Sequence, residues 1–470
     1  MSQSPEYDLI CIGSGPAGQR CAIQAAKLGK KAAVIEERSF VGGVSLETGT
    51  IPSKTFREAV RTFINRRSHD SGLGFAPRVK PTAIDLLQRV DNVIQLETRV
   101  QTDQMQRNDV NVILGKATFE DPHSLLVQTE NGSRTLTTRH IMIAVGTRPA
   151  APPNARIDGH TIIDSDGIVG LTKLPKTMAV VGAGVIGVEY ASMFAAMGVE
   201  VVVIDKRPRP MEFLDREIVD ELVHEMRNMC VTFRLGEAVR GMEVCDGPPR
   251  QGRIELESGK HIVTDLILYS VGRQGATRDL NLQAVGLEAD QRGRLQVDDN
   301  FCTTVEHIYA AGDVIGFPSL AATSAEQGRR AARHMFGVES KPMPSHFPIG
   351  IYSIPEISMV GATEEELTEQ KIPYEVGMAR YREIARGHIM GDQNGLLKLI
   401  FHRDQGNLLG VHAIGNSATE LIHVGQAVLR LGGGLDYFLE TVFNYPTFAE
   451  CYKVAALNAA NKLRRGATVV

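Results

Sequence analysis

The stretch Tyr7-Asp8-Leu9-Ile10-Cys11-Ile12-Gly13-Ser14-Gly15-Pro16-Ala17-Gly18 decides how the first part of this chain folds. An apolar run turns directly into a GxGxxG loop, an alanine-rich stretch follows, and a second apolar run ends at Glu36. Gly13, Gly15 and Gly18 predict a tight turn that lets a pyrophosphate approach the backbone at a helix N-terminus. Glu36 lies where a carboxylate accepts hydrogen bonds from a ribose. The segment therefore predicts a strand–helix–strand unit that binds a dinucleotide.

The same pattern occurs a second time further along the chain. Met178–Val181 leads into Gly182-Ala183-Gly184-Val185-Ile186-Gly187, and the next apolar run ends at Asp205. Gly13 and Glu36 are 23 positions apart, and so are Gly182 and Asp205. Unrelated turns would rarely share this spacing, so the sequence predicts two dinucleotide sites. In the second site, Asp205 suits a ribose 2′-hydroxyl, whereas Lys206 or Arg207 suits a 2′-phosphate.

Composition limits the class of protein. With 470 residues, the chain is long enough for about three domains of ordinary size. Its net charge of −4 gives no reason to expect nucleic acid or an anionic membrane as a partner. Six scattered cysteines without metal-like spacing favour a reducing compartment, and residues 1–8 show no targeting pattern. We therefore expect a cytoplasmic protein without a resident metal.

One apolar stretch, residues 178–204, invites a transmembrane interpretation. It contains four glycines and Glu189, and Asp205-Lys206-Arg207 follows it directly. A buried strand, turn, helix and strand explain these residues better, so we expect no membrane segment.

The remaining segments complete an α/β fold. Helical periodicity covers residues 53–66 and 82–106, and residues 110–114, 124–129 and 135–145 are predicted to form a small meander of strands. Two later strands end in glycine, at Gly146 and Gly272, and the run Ile308–Ala311 ends in Gly312-Asp313. Such a strand would bring the carboxylate of Asp313 close to the first dinucleotide site. Considered alone, Asp313 is equally compatible with an ordinary turn at the end of a strand.

From about residue 347 the pattern changes to a mixed sheet with helices. Strands are predicted at 354–357, 396–401 and 408–414, and helices at 420–430 and 447–462. No phosphate-binding loop occurs there, which favours an interface role. We therefore predict two Rossmann-like dinucleotide-binding domains and a C-terminal α+β interface domain. The predicted division is 1–150 and 273–345 for the first nucleotide-binding domain, 151–272 for the second, and 346–470 for the interface domain.

The segment Gly42-Gly43-Val44-Ser45-Leu46-Glu47-Thr48-Gly49-Thr50-Ile51-Pro52-Ser53-Lys54 resembles the flavin-facing segment of the pyridine nucleotide–disulfide oxidoreductases. Those enzymes carry a redox-active cysteine pair in the frame GGxCxxxGCxPSK. Here the cysteine positions hold Ser45 and Thr50. A hydroxyl group can neither form a disulfide nor attack one as a thiolate. Composition therefore excludes disulfide chemistry at this site.

Within that family, the chain is most similar to the soluble (Si-specific) pyridine nucleotide transhydrogenases. The resemblance extends over nearly the whole chain and includes Gly49–Lys54 and Phe443-Asn444-Tyr445-Pro446-Thr447-Phe448-Ala449-Glu450. Disulfide reductases have a catalytic histidine where this chain has Tyr445. Ser45 departs from the subfamily pattern, which usually retains the first cysteine. The resemblance implies FAD as cofactor, NAD(H) and NADP(H) as substrates, and a homodimer.

The resemblance also implies roles for individual residues. Lys54 would lie beside the reactive nitrogen of the flavin and pair with Glu189, although each alone could be an ordinary surface residue of a helix. The expected FAD-binding residues are Gly13, Gly15, Gly18, Glu36, Gly42, Gly43, Val44, Ser45, Lys54, Gly146, Gly312 and Asp313. The expected residues of the nicotinamide nucleotide site are Gly182, Gly184, Val185, Ile186, Gly187, Asp205, Arg207 and Gly272.

The residues alone leave two alternatives to a transhydrogenase open. One is an NAD(P)H-dependent quinone or dye reductase on the same scaffold. The other is a flavin-containing protein that senses nucleotides without turnover.

Overall fold

The structure is a computed structural model that describes residues 4–70, 82–152 and 154–467. Its strands are β1 (Tyr7–Ile12), β2 (Ala32–Glu36), β3 (Asn111–Leu114), β4 (Lys116–Asp121), β5 (Ser124–Thr129), β6 (Gly132–Ile143), β7 (Thr147–Pro149), β8 (Ile162–Asp164), β9 (Thr177–Val181), β10 (Glu200–Asp205), β11 (Thr232–Leu235), β12 (Val239–Cys245), β13 (Gln251–Leu256), β14 (His261–Thr264), β15 (Leu266–Tyr269), β16 (Arg273–Gly275), β17 (Ile308–Ala310), β18 (Ile349–Ile351), β19 (Ile357–Gly361), β20 (Tyr374–Arg380), β21 (Leu396–His402) and β22 (Leu408–Ile414). Its α-helices are α1 (Pro16–Lys27), α2 (Val44–Glu47), α3 (Thr50–Asp70), α4 (Ala83–Gln106), α5 (Val185–Ala196), α6 (Arg216–Asn228), α7 (Ala321–Met335), α8 (Glu364–Glu369), α9 (Ala385–Met390), α10 (Ala418–Arg430), α11 (Leu435–Glu440) and α12 (Glu450–Ala467).

The chain forms two compact units. The first comprises residues 1–153, 157–174 and 271–343, and the second comprises 154–156, 175–270 and 344–470. The predicted α/β class is confirmed, because both units contain parallel strands connected by helices. The finer division into four segments stays a prediction.

A parallel sheet in the order β3-β2-β1-β6-β17 forms the centre of the first unit. Strands β4 and β5 extend it as an antiparallel hairpin on the first half of β6. All five residues of β2 are buried, as expected for a parallel strand covered on both faces. The prediction that 110–114 belongs to the meander is wrong, because β3 pairs with β2. Strand β4, which sequence periodicity missed, takes that place.

The second unit contains three sheets. Strands β11, β10, β9 and β15 form a parallel sheet in that order, and β12, β13 and β14 form an antiparallel one. The third sheet has the order β18-β19-β22-β21-β20 and packs against α10 and α12. The predicted strand at 354–357 begins only at Ile357, because Pro355 has no N–H group for a sheet hydrogen bond.

The apolar stretch at 178–204 forms β9, α5 and most of β10, as predicted. Across the described ranges, we find no helix that combines the length and the hydropathy needed to cross a bilayer.

Candidate functional site

The first glycine loop accepts only glycine at two positions. Gly13 has a φ of +101°, and a Cβ atom there would lie 2.4 Å from the carbonyl oxygen of Ala144. A Cβ atom at Gly18 would lie 2.0 Å from the carbonyl oxygen of Gly13. At Gly15, by contrast, an added Cβ meets no described atom within 4 Å. The loop is thus closed towards the sheet and open in front of α1, where backbone N–H groups can meet an anion.

The carboxylate of Glu36 anchors this loop. Oε2 accepts hydrogen bonds from Ser14 N, at 2.9 Å, and from Ser14 Oγ, while Oε1 accepts from Arg38 N at 2.9 Å. The guanidinium of Arg38 turns away and forms an ion pair with Glu47. A carboxylate has about four acceptor positions, so the described residues leave one position of Glu36 for a ligand hydroxyl.

The Gly42–Lys54 segment lies against the same loop. Gly42 N donates to Ser14 Oγ at 2.8 Å, and a Cβ atom at Gly43 would lie 3.0 Å from Gly15 Cα. Ser45, at the first cysteine position, donates its hydroxyl to Gly42 O at 2.7 Å. Val44 begins α2 after Gly43, and Lys54 lies half-buried near the start of α3.

Thr48, in the same segment, was not predicted to be a site residue. Its hydroxyl oxygen is buried and has no hydrogen-bond partner among the described residues. Buried polar groups are nearly always paired, so this hydroxyl is a candidate to bind a polar ligand group. No sequence pattern separates Thr48 from an ordinary helix-end threonine.

The short strands that follow Gly146 and Gly272 pair with each other in the first unit. Gly146 and Gly272 precede β7 and β16, which pair antiparallel, and Arg273 Nε donates to Thr147 Oγ1 at 2.8 Å.

Gly312 N donates to Gln327 Oε1 at 2.8 Å. Burial raises the pKa of Asp313, although the charge of Arg273 and a hydrogen bond from Thr147 oppose it. A largely buried carboxyl of this kind suits a ligand hydroxyl that donates to it.

The second glycine loop repeats the geometry of the first. Gly182 has a φ of +105°, and a Cβ atom at Gly187 would lie 2.0 Å from Gly182 O. Gly184 has no described neighbour within 4 Å of an added Cβ, and Val185 and Ile186 open helix α5. The prediction of one template used twice is therefore confirmed at the level of backbone geometry.

The acidic residue of the second copy has different partners from that of the first. Asp205 Oδ2 accepts from Ala183 N at 2.6 Å, as the Glu36 carboxylate accepts from Ser14 N. Arg207 adds three donors, with its N and Nε on Oδ1 and its Nη2 on Oδ2. Burial alone would raise the pKa of Asp205, but the hydrogen bonds and charge of Arg207 lower it overall. The carboxylate is therefore ionised and engaged by a guanidinium.

Glu189 is buried within α5 and is only 3% exposed. Its Oε1 accepts from Tyr352 N at 2.8 Å, within the same compact unit. Ser192, one turn further along, donates to Glu189 O at 2.8 Å and accepts from Ile354 N at 2.9 Å. Two hydrogen bonds thus fix this helix face on the segment before β19. Sequence reasoning missed Ser192, and Lys54 lies in the other compact unit, so the Lys54–Glu189 pair stays a proposal.

Three carboxylates of the second unit, on Asp215, Glu217 and Glu364, lie close enough together to suggest a metal site. The ammonium group of Lys398 lies among them, 2.9 Å from Asp215 Oδ1, 3.1 Å from Glu217 Oε2 and in contact with Glu364. Burial alone would lower the pKa of Lys398, but the hydrogen bonds and charges of these carboxylates raise it overall. A permanent cation therefore takes the place that a metal ion would need.

His412 lies opposite Lys398 on the neighbouring strand. It should make the free energy of unfolding depend on pH. Burial lowers the pKa of His412. The charge of Asp215 raises this pKa, whereas the charge of Lys398 lowers it further. The neutral ring stabilises the fold above the ordinary pKa of 6.5, and this contribution is lost as pH falls through the lowered value. We expect the free energy of unfolding to fall more steeply between about pH 7.5 and about pH 5.5 in the wild type than in His412→Gln. Equal slopes in urea unfolding would contradict this.

The profile of the pyridine nucleotide-disulphide oxidoreductases matches residues 7–328, and that of their dimerisation domain matches residues 347–456. The chain therefore belongs to this family of oxidoreductases. The soluble pyridine nucleotide transhydrogenase of Mycobacterium tuberculosis is 52% identical over 98% of both chains. That of Shigella boydii is 43% identical over 98% of this chain and all of that protein. Among solved structures, the HOCl-induced flavoprotein disulfide reductase RclA from Escherichia coli matches with a TM-score of 0.87, 26% identity and coverage of 96% and 99%.

Proposed function

We propose that the protein is a FAD-dependent pyridine nucleotide transhydrogenase that reversibly transfers hydride between NADPH/NADP⁺ and NADH/NAD⁺. The observation that carries this proposal is the glycine loop built twice, together with a flavin-type segment that lies against the first copy and holds Ser45 and Thr50 instead of cysteines. The transhydrogenases of Mycobacterium tuberculosis and Shigella boydii support it through similarity over nearly the full length.

The residues of the first unit fit FAD. The open backbone at Gly15 suits a pyrophosphate, and Glu36, Thr48 and Asp313 offer polar atoms for hydroxyl and carbonyl groups. FAD, when bound there, would supply hydride-transfer chemistry that needs no thiol. In this proposal the second glycine loop, with Asp205 and Arg207, holds either nicotinamide nucleotide in turn.

Lys54 and Glu189 have the proposed catalytic roles. Lys54 supplies a positive charge where negative charge develops during transfer, which stabilises the transition state. Glu189 orients Lys54, and its own position is held by Tyr352 N. We further propose Si-specific transfer, a cytoplasmic location, the four-segment domain division and a homodimer formed through residues 346–470.

The decisive assay mixes the FAD-loaded protein with NADPH and thio-NAD⁺ and follows the absorbance of reduced thio-NAD. We expect the reduced thio product to accumulate in proportion to enzyme. Flavin bleaching by NADPH without thio-NAD⁺ reduction would instead favour a quinone or dye reductase. If NADPH left the flavin colour unchanged, a non-catalytic sensor would be favoured. A protein that could not bind FAD would contradict all three hypotheses: the transhydrogenase, the reductase and the sensor.

Glu189→Gln should slow hydride transfer by about tenfold or more while FAD stays bound, because the amide no longer holds Lys54 by charge. Stopped-flow bleaching of the flavin by NADPH measures this step directly. Glu200→Gln, an exposed change at the start of β10, provides the matched control and should leave the rate unchanged. Similar rates for Glu189→Gln and wild type would remove Glu189 from the mechanism.

A further inference from the structure

Arg207 and Ala183 N together occupy the acceptor positions on Asp205. Oδ1 accepts from Arg207 N at 2.8 Å and from Arg207 Nε at 3.0 Å. Oδ2 accepts from Arg207 Nη2 at 2.7 Å and from Ala183 N at 2.6 Å. A carboxylate has about four lone-pair positions, and these four donors fill them. A ribose hydroxyl therefore finds no acceptor on Asp205 while the guanidinium stays in this position.

The first glycine loop provides an internal comparison within the same chain. Arg38 follows Glu36 by two residues, as Arg207 follows Asp205, and its N–H group donates to the carboxylate in the same way. Its guanidinium, however, pairs with Glu47. Glu36 therefore keeps an acceptor position, and Asp205 does not. The loop N–H group donates to the acid in both copies, so the open position on Glu36 depends on the direction of the arginine side chain.

We infer that Arg207 is a specificity-determining residue that competes with NAD(H) for Asp205, in addition to the 2′-phosphate contact already expected of it. This inference rests on the proposed function. NAD(H) can bond its 2′-hydroxyl to Asp205 only after the guanidinium has moved away. NADP(H) instead brings a 2′-phosphate, which can bind Arg207 from the solvent side.

The exposure of Arg207 is consistent with both parts of this role. Its side chain is 40% exposed, whereas that of Asp205 is 6% exposed. Nη1 takes no part in the bonds to Asp205, so it can donate to a phosphate without breaking them. The guanidinium also screens a 2′-phosphate from the Asp205 carboxylate, which would otherwise repel it. A partly exposed ion pair is weak enough for a bound nucleotide to displace.

The test measures the binding of two fragments that cannot transfer hydride. Titration calorimetry of the FAD-loaded protein with ADP-ribose and with 2′-phospho-ADP-ribose separates the two effects. For Arg207→Ala, we expect ADP-ribose to bind about two- to fivefold more tightly, the range of a partly exposed ion pair. The same variant should bind 2′-phospho-ADP-ribose about 10- to 100-fold more weakly, because a charged hydrogen-bond partner is lost.

Arg240→Ala is the control, because it removes an exposed positive charge of the same compact unit without touching Asp205. Its affinity for ADP-ribose should equal that of the wild type. Unchanged or weaker ADP-ribose binding by Arg207→Ala would overturn the competition, as would equal tightening by Arg240→Ala. If the wild type bound neither fragment, the second nucleotide site and the proposed function would fail together. The expected binding pattern without thio-NAD⁺ reduction would overturn the proposed function alone.

Discussion

Gly18→Ala is expected to yield a colourless protein that binds no FAD and transfers no hydride. Its added Cβ atom would lie 2.0 Å from the carbonyl oxygen of Gly13, and neither backbone segment can move without opening the turn between β1 and α1. Overpacking of this kind costs about 3 kcal/mol, the upper end of its usual range. The flavin absorbance of the purified protein and its thermal unfolding midpoint measure both effects.

Two other glycine substitutions separate loss of the ligand from loss of the fold. Gly170→Ala, in the same compact unit, adds a Cβ atom with no described neighbour within 4 Å and should retain FAD and stability. Gly15→Ala also adds its methyl group to open space, so it should retain stability but weaken FAD binding, since the methyl group projects where the pyrophosphate is proposed. A yellow Gly18→Ala protein of normal stability would show that the loop is not closed as described.

Lys398→Ala is expected to destabilise the second unit by about 3–5 kcal/mol, because it leaves the buried carboxylate of Asp215 without its cation. Both side chains are only 1% exposed, and Lys398 contacts three carboxylates. Urea unfolding gives the free energy directly. Lys462→Ala removes a lysine whose ion pair with Glu375 spans 3.8 Å and is partly exposed, and it should change stability much less.

A double variant tests the physical reason for that loss. In Lys398→Ala/Asp215→Ala, no isolated buried charge remains at Asp215, so part of the lost stability should return. If the double variant lost as much free energy of unfolding as the two single variants lose together, the two side chains would act independently. In that case, lost packing around the lysine stem would explain the effect better than charge.

The parts of the site that could be predicted are those that local chemistry dictates. Gly13, Gly18, Gly182 and Gly187 occur at fixed spacing, because only glycine fits where the backbone crosses so closely. The exchange of both cysteines is likewise visible without a structure, since Ser45 and Thr50 stand in a recognisable frame. The α/β class followed from the same repeated units.

The parts that could not be predicted depend on contacts between distant residues. Gly328 of α7 is one example, because its added Cβ atom would lie 2.0 Å from Ala17 O on α1. Ser192 and Lys398 gain their importance only from partners elsewhere in the chain. Arg38 and Arg207 follow their acids at identical spacing, yet their guanidinium groups take different partners. Spacing describes the backbone of such a site, whereas the direction of a long side chain depends on its neighbours.

The late position of β17 in the chain has a consequence for biosynthesis. This strand pairs with β6 through Ile308 and Ile141, although residues 175–270 of the second unit come between them in the chain. On the ribosome, β6 therefore has an open edge until residue 310 has been translated and has emerged. Open edges invite intermolecular pairing. We therefore expect the nascent chain to be most prone to pairing with other chains before β17 covers this edge.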